Sequence, residues 1–193
     1  RLSGYRVAGK LVNAGFGASG NYCARRAKAA LLTDSTTRDC EPAGMNGYEF
    51  KAGLRAGKRM YGTMFVQTRA GQHDDALAKL ALDFLIVDNE HAPFSRSETA
   101  DWARKLAGMG LVHVVRVPIP ASHYITMALD AGAQGILAPY VERVEQVQEC
   151  VAACKWLPLK GDIALRAVQE GRFPSEETRK HLEERNKNNV LVI

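Results

Sequence analysis

Several things are scarce in this sequence, and each scarcity removes a class of protein. It holds four cysteines in 193 residues, too few and too irregularly placed for a disulfide scaffold. Cys150 and Cys154 stand four apart on one face of a helical pattern, and no second Cys or His pair follows at zinc-like spacing, so they read as reduced thiols. No apolar run approaches the roughly 18 residues of a membrane span. Acids are missing from residues 1–33, which carry six Lys or Arg and no Asp or Glu. The net charge of +5 therefore belongs to that leading segment, because residues 34–193 hold 20 basic and 21 acidic side chains, a formal balance of −1. With neither a basic stripe nor interleaved aromatics in the remainder, a nucleic-acid partner is not expected. The first residue is Arg1, not Met, and residues 1–44 are rich in Gly, Ala, Arg and Asn without a clear period. That composition matches an organelle transit peptide only in part. Met45 offers an alternative start, and residues 1–44 are read as a disordered or added extension, with weak organelle-targeting character. The folded domain is expected over 45–193, in the cytoplasm.

What is present is a hydrophobic content of 46%, enough for the core of one domain, arranged in alternating helix and strand patterns. A short amphipathic helix is expected over 48–56, then a strand over 61–67, and apolar residues at helical spacing over 74–82. Phe84 to Asp88 reads as a buried strand. A helix over 97–109 follows, with Ser95 or Ser97 as candidate N-cap and Gly110 as its stop. Further elements are a strand over 112–117, a helix over 121–131, a strand over 135–141, a helix over 142–156 and a last strand at 190–193. Residues 157–189 form a strongly charged insertion with a helix over 175–186, opened by Pro174-Ser-Glu-Glu177 with acids near its positive end. Short links between repeated strand and helix units imply a parallel sheet. At this level a doubly wound sheet and a (β/α)8 barrel look alike.

The chemistry concentrates in Phe84-Leu-Ile-Val-Asp-Asn-Glu-His-Ala-Pro93, where an apolar strand delivers Asp88, Glu90 and His91 at its C-terminal end. Twenty-five residues after His91, the β-branched run Leu111-Val-His-Val-Val-Arg-Val-Pro-Ile-Pro120 places Arg116 at the matching end of the next strand. A carboxylate, an imidazole and a guanidinium on consecutive parallel strands point to a site for a small anion. Imidazole suits proton transfer near neutral pH, and Asp88, three residues upstream, is the expected orienting partner of His91. The other histidines, His73, His113, His123 and His181, have no partner at metal-ligand spacing. Tyr140 follows a strand and Pro139, which leaves both a place at the sheet's mouth and a packing role open.

From Asn46 onward the chain resembles the HpcH/HpaI aldolases. The likeness is carried by Tyr48-Glu-Phe-Lys-Ala-Gly-Leu-Arg-Ala-Gly-Lys58, Asp88-Asn-Glu-His-Ala-Pro93, Val114-Val-Arg-Val-Pro118 and Ala128-Leu-Asp-Ala-Gly-Ala-Gln-Gly-Ile-Leu-Ala-Pro-Tyr-Val141, in this order and spacing. The resemblance implies a (β/α)8 TIM barrel, of which this chain shows the first five strands. It also implies a carbon–carbon lyase that reversibly cleaves a 4-hydroxy-2-oxo acid to pyruvate and an aldehyde, as a trimer or hexamer. By resemblance, His91 with Asp88 forms the acid/base dyad, Arg116 binds substrate beside the keto oxygen, and Glu90 supports them. A divalent cation (Mg, Mn or Co) is implied as well, held by a Glu and an Asp that the family places after Ile193.

Some segments depart from the pattern. Tyr61-Gly-Thr-Met64 lacks a first-strand tryptophan found in some relatives, and Lys160-Gly161-Asp162 replaces an arginine- and glycine-rich loop, so acceptor specificity does not carry over. Two other readings stand beside the aldolase: a non-catalytic half barrel that serves an assembly, and a citrate-lyase-like or malyl-CoA-lyase-like enzyme acting on acyl-CoA thioesters.

Overall fold

The computed structural model describes residues 44–66 and 74–193. The readings of the leading segment, of Gln67 and of His73 fall outside the described residues. Within them, five strands lie parallel in the order of the sequence: β1 (Gly62–Phe65), β2 (Phe84–Asp88), β3 (Val112–Arg116), β4 (Gly135–Leu137) and β5 (Val190–Val192). A doubly wound sheet would reverse its strand order at a switch point. This sheet advances without reversal, which is the progression of a (β/α) barrel.

The register arranges side chains in rows. Met64, Ile86, Val114, Gly135 and Val190 form one row across the sheet, and Asp88, Arg116, Leu137 and Val192 form the next. Because parallel neighbours in register share a face and alternate residues switch face, the rows separate two cores. Leu85, Val87, Val115, Val117 and Ile136 pack outward against α3 (Arg96–Gly108), α4 (Ser122–Asp130) and α5 (Val144–Lys155), around fully buried Trp102, Leu106, Ile125, Cys150 and Cys154. The inward face gathers Phe84, Ile86, Val112, Val114 and Val190. Burial on both faces explains why β2 and β3 read as nearly continuous apolar runs.

Helix α1 (Gly47–Arg55) closes the N-terminal end of the inward face. Asn46 and Glu49 form a capping box at its start, satisfying two backbone amides that a helix end leaves without partners. Phe50 then meets Phe84 edge to face, with ring centroids 5.3 Å apart. Gly47 lies so near the backbone of Asn188 that a Cβ would stand 1.8 Å from its carbonyl oxygen. A short α2 (Asp74–Lys79) precedes β2.

Most expected elements are present with trimmed ends. Of the two N-cap candidates for α3, Ser95 is used: its Oγ accepts from Glu98 N at 3.2 Å, and Glu98 Oε2 accepts from Ser95 N at 2.9 Å. Gly110, with φ of 68°, stops the helix as read. Strand β4 is shorter than the expected 135–141, since Pro139 has no N–H to donate and Tyr140 turns left-handed with φ of 54°. The charged insertion holds two helices, not one. The expected helix is α7 (Glu176–Arg185), capped by Ser175, whose Oγ accepts from Thr178 N at 3.0 Å. The other, α6 (Gly161–Glu170), packs Ala164 and Ala167 inward and ends on Gly171 at φ of 60°. Cys150 and Cys154 are free and buried, in keeping with the reduced-thiol reading, and burial pushes the Cys150 thiol up to about 11. No helix among the described residues is long and apolar enough to cross a membrane.

Candidate functional site

Asp88 closes β2 and Arg116 closes β3, and the two are register partners on the inward face. Their side chains meet without searching for each other. Arg116 Nε donates to Asp88 Oδ1 at 2.8 Å and Nη2 donates to Oδ2 at 2.6 Å, the bidentate geometry in which a guanidinium holds a carboxylate most firmly. Asp88 is fully buried, and its Oδ1 also accepts from the backbone amides of Glu90 at 2.9 Å and His91 at 3.3 Å. Burial alone would raise this carboxyl, but the hydrogen bonds from Arg116, Glu90 and His91 hold it below the usual carboxylate range. The bond to Asp88 in turn raises Arg116.

The turn that these amide bonds tie down carries Glu90 and His91 onto the strand ends. Glu90 is nearly buried, with 7% of its side chain exposed, and its Oε2 lies 3.1 Å from Arg116 Nη1. His91 is 61% exposed, and its Nε2 stands 3.4 Å from Glu90 Oε1. This corrects one expectation. The carboxylate beside the His91 ring belongs to Glu90, whereas Asp88 reaches His91 only through its backbone amide, because Arg116 sits opposite Asp88 in the adjoining strand and takes both its oxygens.

Tyr140 stands past the end of β4, where the neighbouring Glu90 raises its phenol. The sequence left Tyr140 undecided between mouth and core; it stands at the mouth, 65% exposed. Sequence reasoning gave Glu90 a supporting part, yet its carboxylate lies beside both Arg116 and His91. The signal available was parity: Glu90 lies two residues after Asp88, on the same inward side.

Two carboxylates face one guanidinium, so the cluster has a formal charge of −1 while His91 is neutral. It is therefore not a ready-made anion receptor, as the residue types alone implied. Two of the five guanidinium N–H groups are donated to Asp88, and Nη1 lies 3.1 Å from Glu90 Oε2 as an ion pair, which leaves donors for a ligand. Among the described residues no three His, Cys, Asp or Glu side chains are grouped to hold an ion, and Asp88 is committed to Arg116. The implied divalent cation thus finds no site built from these residues.

The motif order, the register and this cluster agree with a comparison to known families, in which the HpcH/HpaI aldolase/citrate lyase model matches residues 62–190. The chain belongs to the HpcH/HpaI aldolase/citrate lyase family. A hydroxypyruvate/pyruvate aldolase of Roseobacter denitrificans is 33% identical over 117 residues, which are 61% of this chain and 44% of that protein. A 2-keto-3-deoxy-L-rhamnonate aldolase of Salmonella gallinarum is 32% identical over 128 residues, 64% of this chain and 48% of that one. The crystal structure of an HpcH/HpaI aldolase from Desulfitobacterium hafniense DCB-2 superposes with a TM-score of 0.56 and 27% identity, covering 73% of this chain and 54% of its own. The chain spans about half the length of the relatives it matches.

Proposed function

We propose that the protein is a carbon–carbon lyase of aldolase type, which reversibly cleaves a 4-hydroxy-2-oxo acid into a pyruvate-like 2-oxo acid and an aldehyde. The observation that carries this reading is the Arg116–Asp88 pair, fixed bidentately at the C-terminal ends of β2 and β3 with His91 in the turn that Asp88 ties down. That end of a parallel barrel is where such enzymes assemble their chemistry. Family membership and relatives named as aldolases of hydroxypyruvate, pyruvate and 2-keto-3-deoxy-L-rhamnonate support it.

In the cleavage direction the 4-hydroxyl loses its proton, the C3–C4 bond breaks, the aldehyde leaves, and the electron pair moves through C3 to the keto oxygen as an enolate. Reprotonation at C3 gives the 2-oxo acid. Arg116 presents N–H donors not taken by Asp88 to the keto oxygen, where charge grows in the transition state, and its rigidity spares the cost of reorienting a donor as the charge develops. His91, exposed and beside Glu90, carries the hydroxyl proton away and returns it in synthesis. A protonated His91 also cancels the cluster's formal −1 charge. The same proposal includes a homo-oligomer, trimer or hexamer, and a cytoplasmic setting.

The test is exchange of the pyruvate methyl protons into deuterated buffer, followed by NMR with Mg, Mn or Co supplied. The full protein should exchange them. His91→Ala and Arg116→Ala should each lower the rate by about a hundredfold or more, the usual scale for a lost acid/base or charge-stabilising group. No exchange in the unaltered protein, or rates untouched by both substitutions, would remove the reading.

A further inference from the structure

The loop that carries Glu90 and His91 runs from Asn89 to Ser95, and one hydroxyl touches both of its ends. Thr99 lies near the start of α3 and is buried. Its Oγ1 donates to Ser95 O at 3.0 Å and accepts from Asn89 Nδ2 at 3.0 Å. A helical threonine often bonds the carbonyl four residues back, and that bond by itself would serve only the helix. The second bond leaves the helix and crosses to the end of β2. Since the single proton of the hydroxyl goes to Ser95, it can take only a donor from Asn89. The amide is thereby fixed with Nδ2 toward α3, and its Oδ1 is left buried without a partner among the described residues. A buried acceptor left unmet costs stability, so this orientation serves the tie to Thr99 and not the satisfaction of Asn89.

Asn89 is held from the other side as well. Its backbone amide donates to Arg116 O at 2.9 Å, which carries the ladder between β2 and β3 one step past Asp88. At the far end of the loop, Ser95 is fixed by its capping box with Glu98. The ties within the loop are looser. Asp88 Oδ1 accepts from His91 N at 3.3 Å, and His91 Nε2 stands 3.4 Å from Glu90 Oε1, both longer than a firm hydrogen bond. Where the His91 ring stands therefore depends on how firmly the two ends of 89–95 are held. We propose that Thr99 is a positioning residue for the aldolase chemistry, whose hydroxyl closes the base of loop 89–95 and so sets His91 and Glu90 against Arg116. This role rests on the aldolase reading, since Thr99 is itself buried in the helix layer and acts through residues of that site.

Variants of the full protein test it. Thr99→Val removes the hydroxyl and keeps the shape, Asn89→Ala removes the other half of the contact, and Thr99→Ser restores the hydroxyl. Backbone amide exchange over 89–95, read by mass spectrometry, should be about tenfold faster in Thr99→Val and in Asn89→Ala and close to wild type in Thr99→Ser. In the pyruvate-proton assay the first two should lower kcat about tenfold while KM stays within about twofold, as expected for groups that orient others without binding substrate. Thr99→Ser should recover most of that rate. The double variant of Thr99→Val with Asn89→Ala should lose no more than about the larger single loss, because both changes break one contact. Should Thr99→Val fold poorly, Asn89→Ala carries the same expectation on its own, at a residue that is only half-buried. A hydroxyl that merely supports the helix would lower the urea midpoint and leave kcat alone. That result, unchanged amide exchange over 89–95, or fully additive losses of kcat would each overturn the role of Thr99 and leave the aldolase reading intact. No turnover of pyruvate protons in the unaltered protein would remove the reading and this inference with it, even if the loop loosened as expected.

Discussion

Asp88 and Arg116 show how one pair of residues organises a site. A fully buried carboxylate is costly unless it is paired and hydrogen-bonded, and Asp88 meets both conditions through Arg116 and two backbone amides. Arg116→Ala leaves that charge buried with only the amides, so it should cost about 3–5 kcal/mol in urea unfolding at neutral pH. The sign of its pH dependence is set by Asp88. In the native protein its carboxyl is held below the ordinary range, so the stability it contributes is present above the unfolded value and is lost only as pH falls through the depressed one. In the variant, burial is opposed far less and the carboxyl protonates earlier on acidification. The gap between variant and wild type should therefore narrow as the pH is lowered. A gap that widened would contradict the pairing.

At the level of elements, glycines decide how closely strands and helices approach. Gly135 opens β4, and a Cβ there would lie 2.9 Å from Val190 Cβ and 3.0 Å from Val114 Cγ2. Both neighbours are branched at Cβ and stiff, so neither can yield easily. Gly135→Ala should destabilise by about 1–3 kcal/mol, the range for overpacking a tight core. Gly108, in the last turn of α3, is the contrasting case, since a Cβ placed there would meet nothing within 4 Å. Gly108→Ala should stabilise by about 0.5–1 kcal/mol through helix propensity and a less flexible unfolded chain. Thermal unfolding of the two variants checks both signs together.

For the folded domain as a whole, two lysines join parts distant in sequence. Lys51 on α1 donates to the carbonyl oxygens of Lys187 and Asn189, and Lys155 at the end of α5 donates to that of Asn189 as well. They tie both helices to the loop that enters β5, but they place two ammonium groups together with no carboxylate paired to them among the described residues. Burial, and then the charge of Lys155, lower Lys51 from 10.5 to about 8, and burial lowers Lys155 too. Between the folded and unfolded values the unfolded chain binds more protons, so stability rises with pH there. The penalty is fully present below about 8 and is relieved as pH climbs toward 10.5. The urea midpoint of the wild type should gain on that of Lys51→Met between about pH 7.5 and about pH 10; a parallel pair of curves would show that folding does not lower Lys51.

The sequence by itself determined the alternation of elements, the ends of α3, the strand that bears Asp88 and the residue types at the candidate site, because periodicity, caps and turn residues act over a few positions. The family likeness was legible too, since it rests on residues in order along the chain. Only the tertiary structure decided which side chains meet. Asp88 was expected to serve the imidazole of His91 three residues away, yet it pairs with Arg116, twenty-eight residues on, because a parallel register sets strand ends side by side whatever their distance in sequence. The part of Glu90 and the outward placement of Tyr140 were hidden for the same reason. The first depends on a contact with Arg116 of the adjoining strand, and the second on a left-handed turn where β4 leaves the sheet. Helix α6 also escaped sequence reading, in a stretch read only as part of a charged insertion until α5 offered a surface for its alanines.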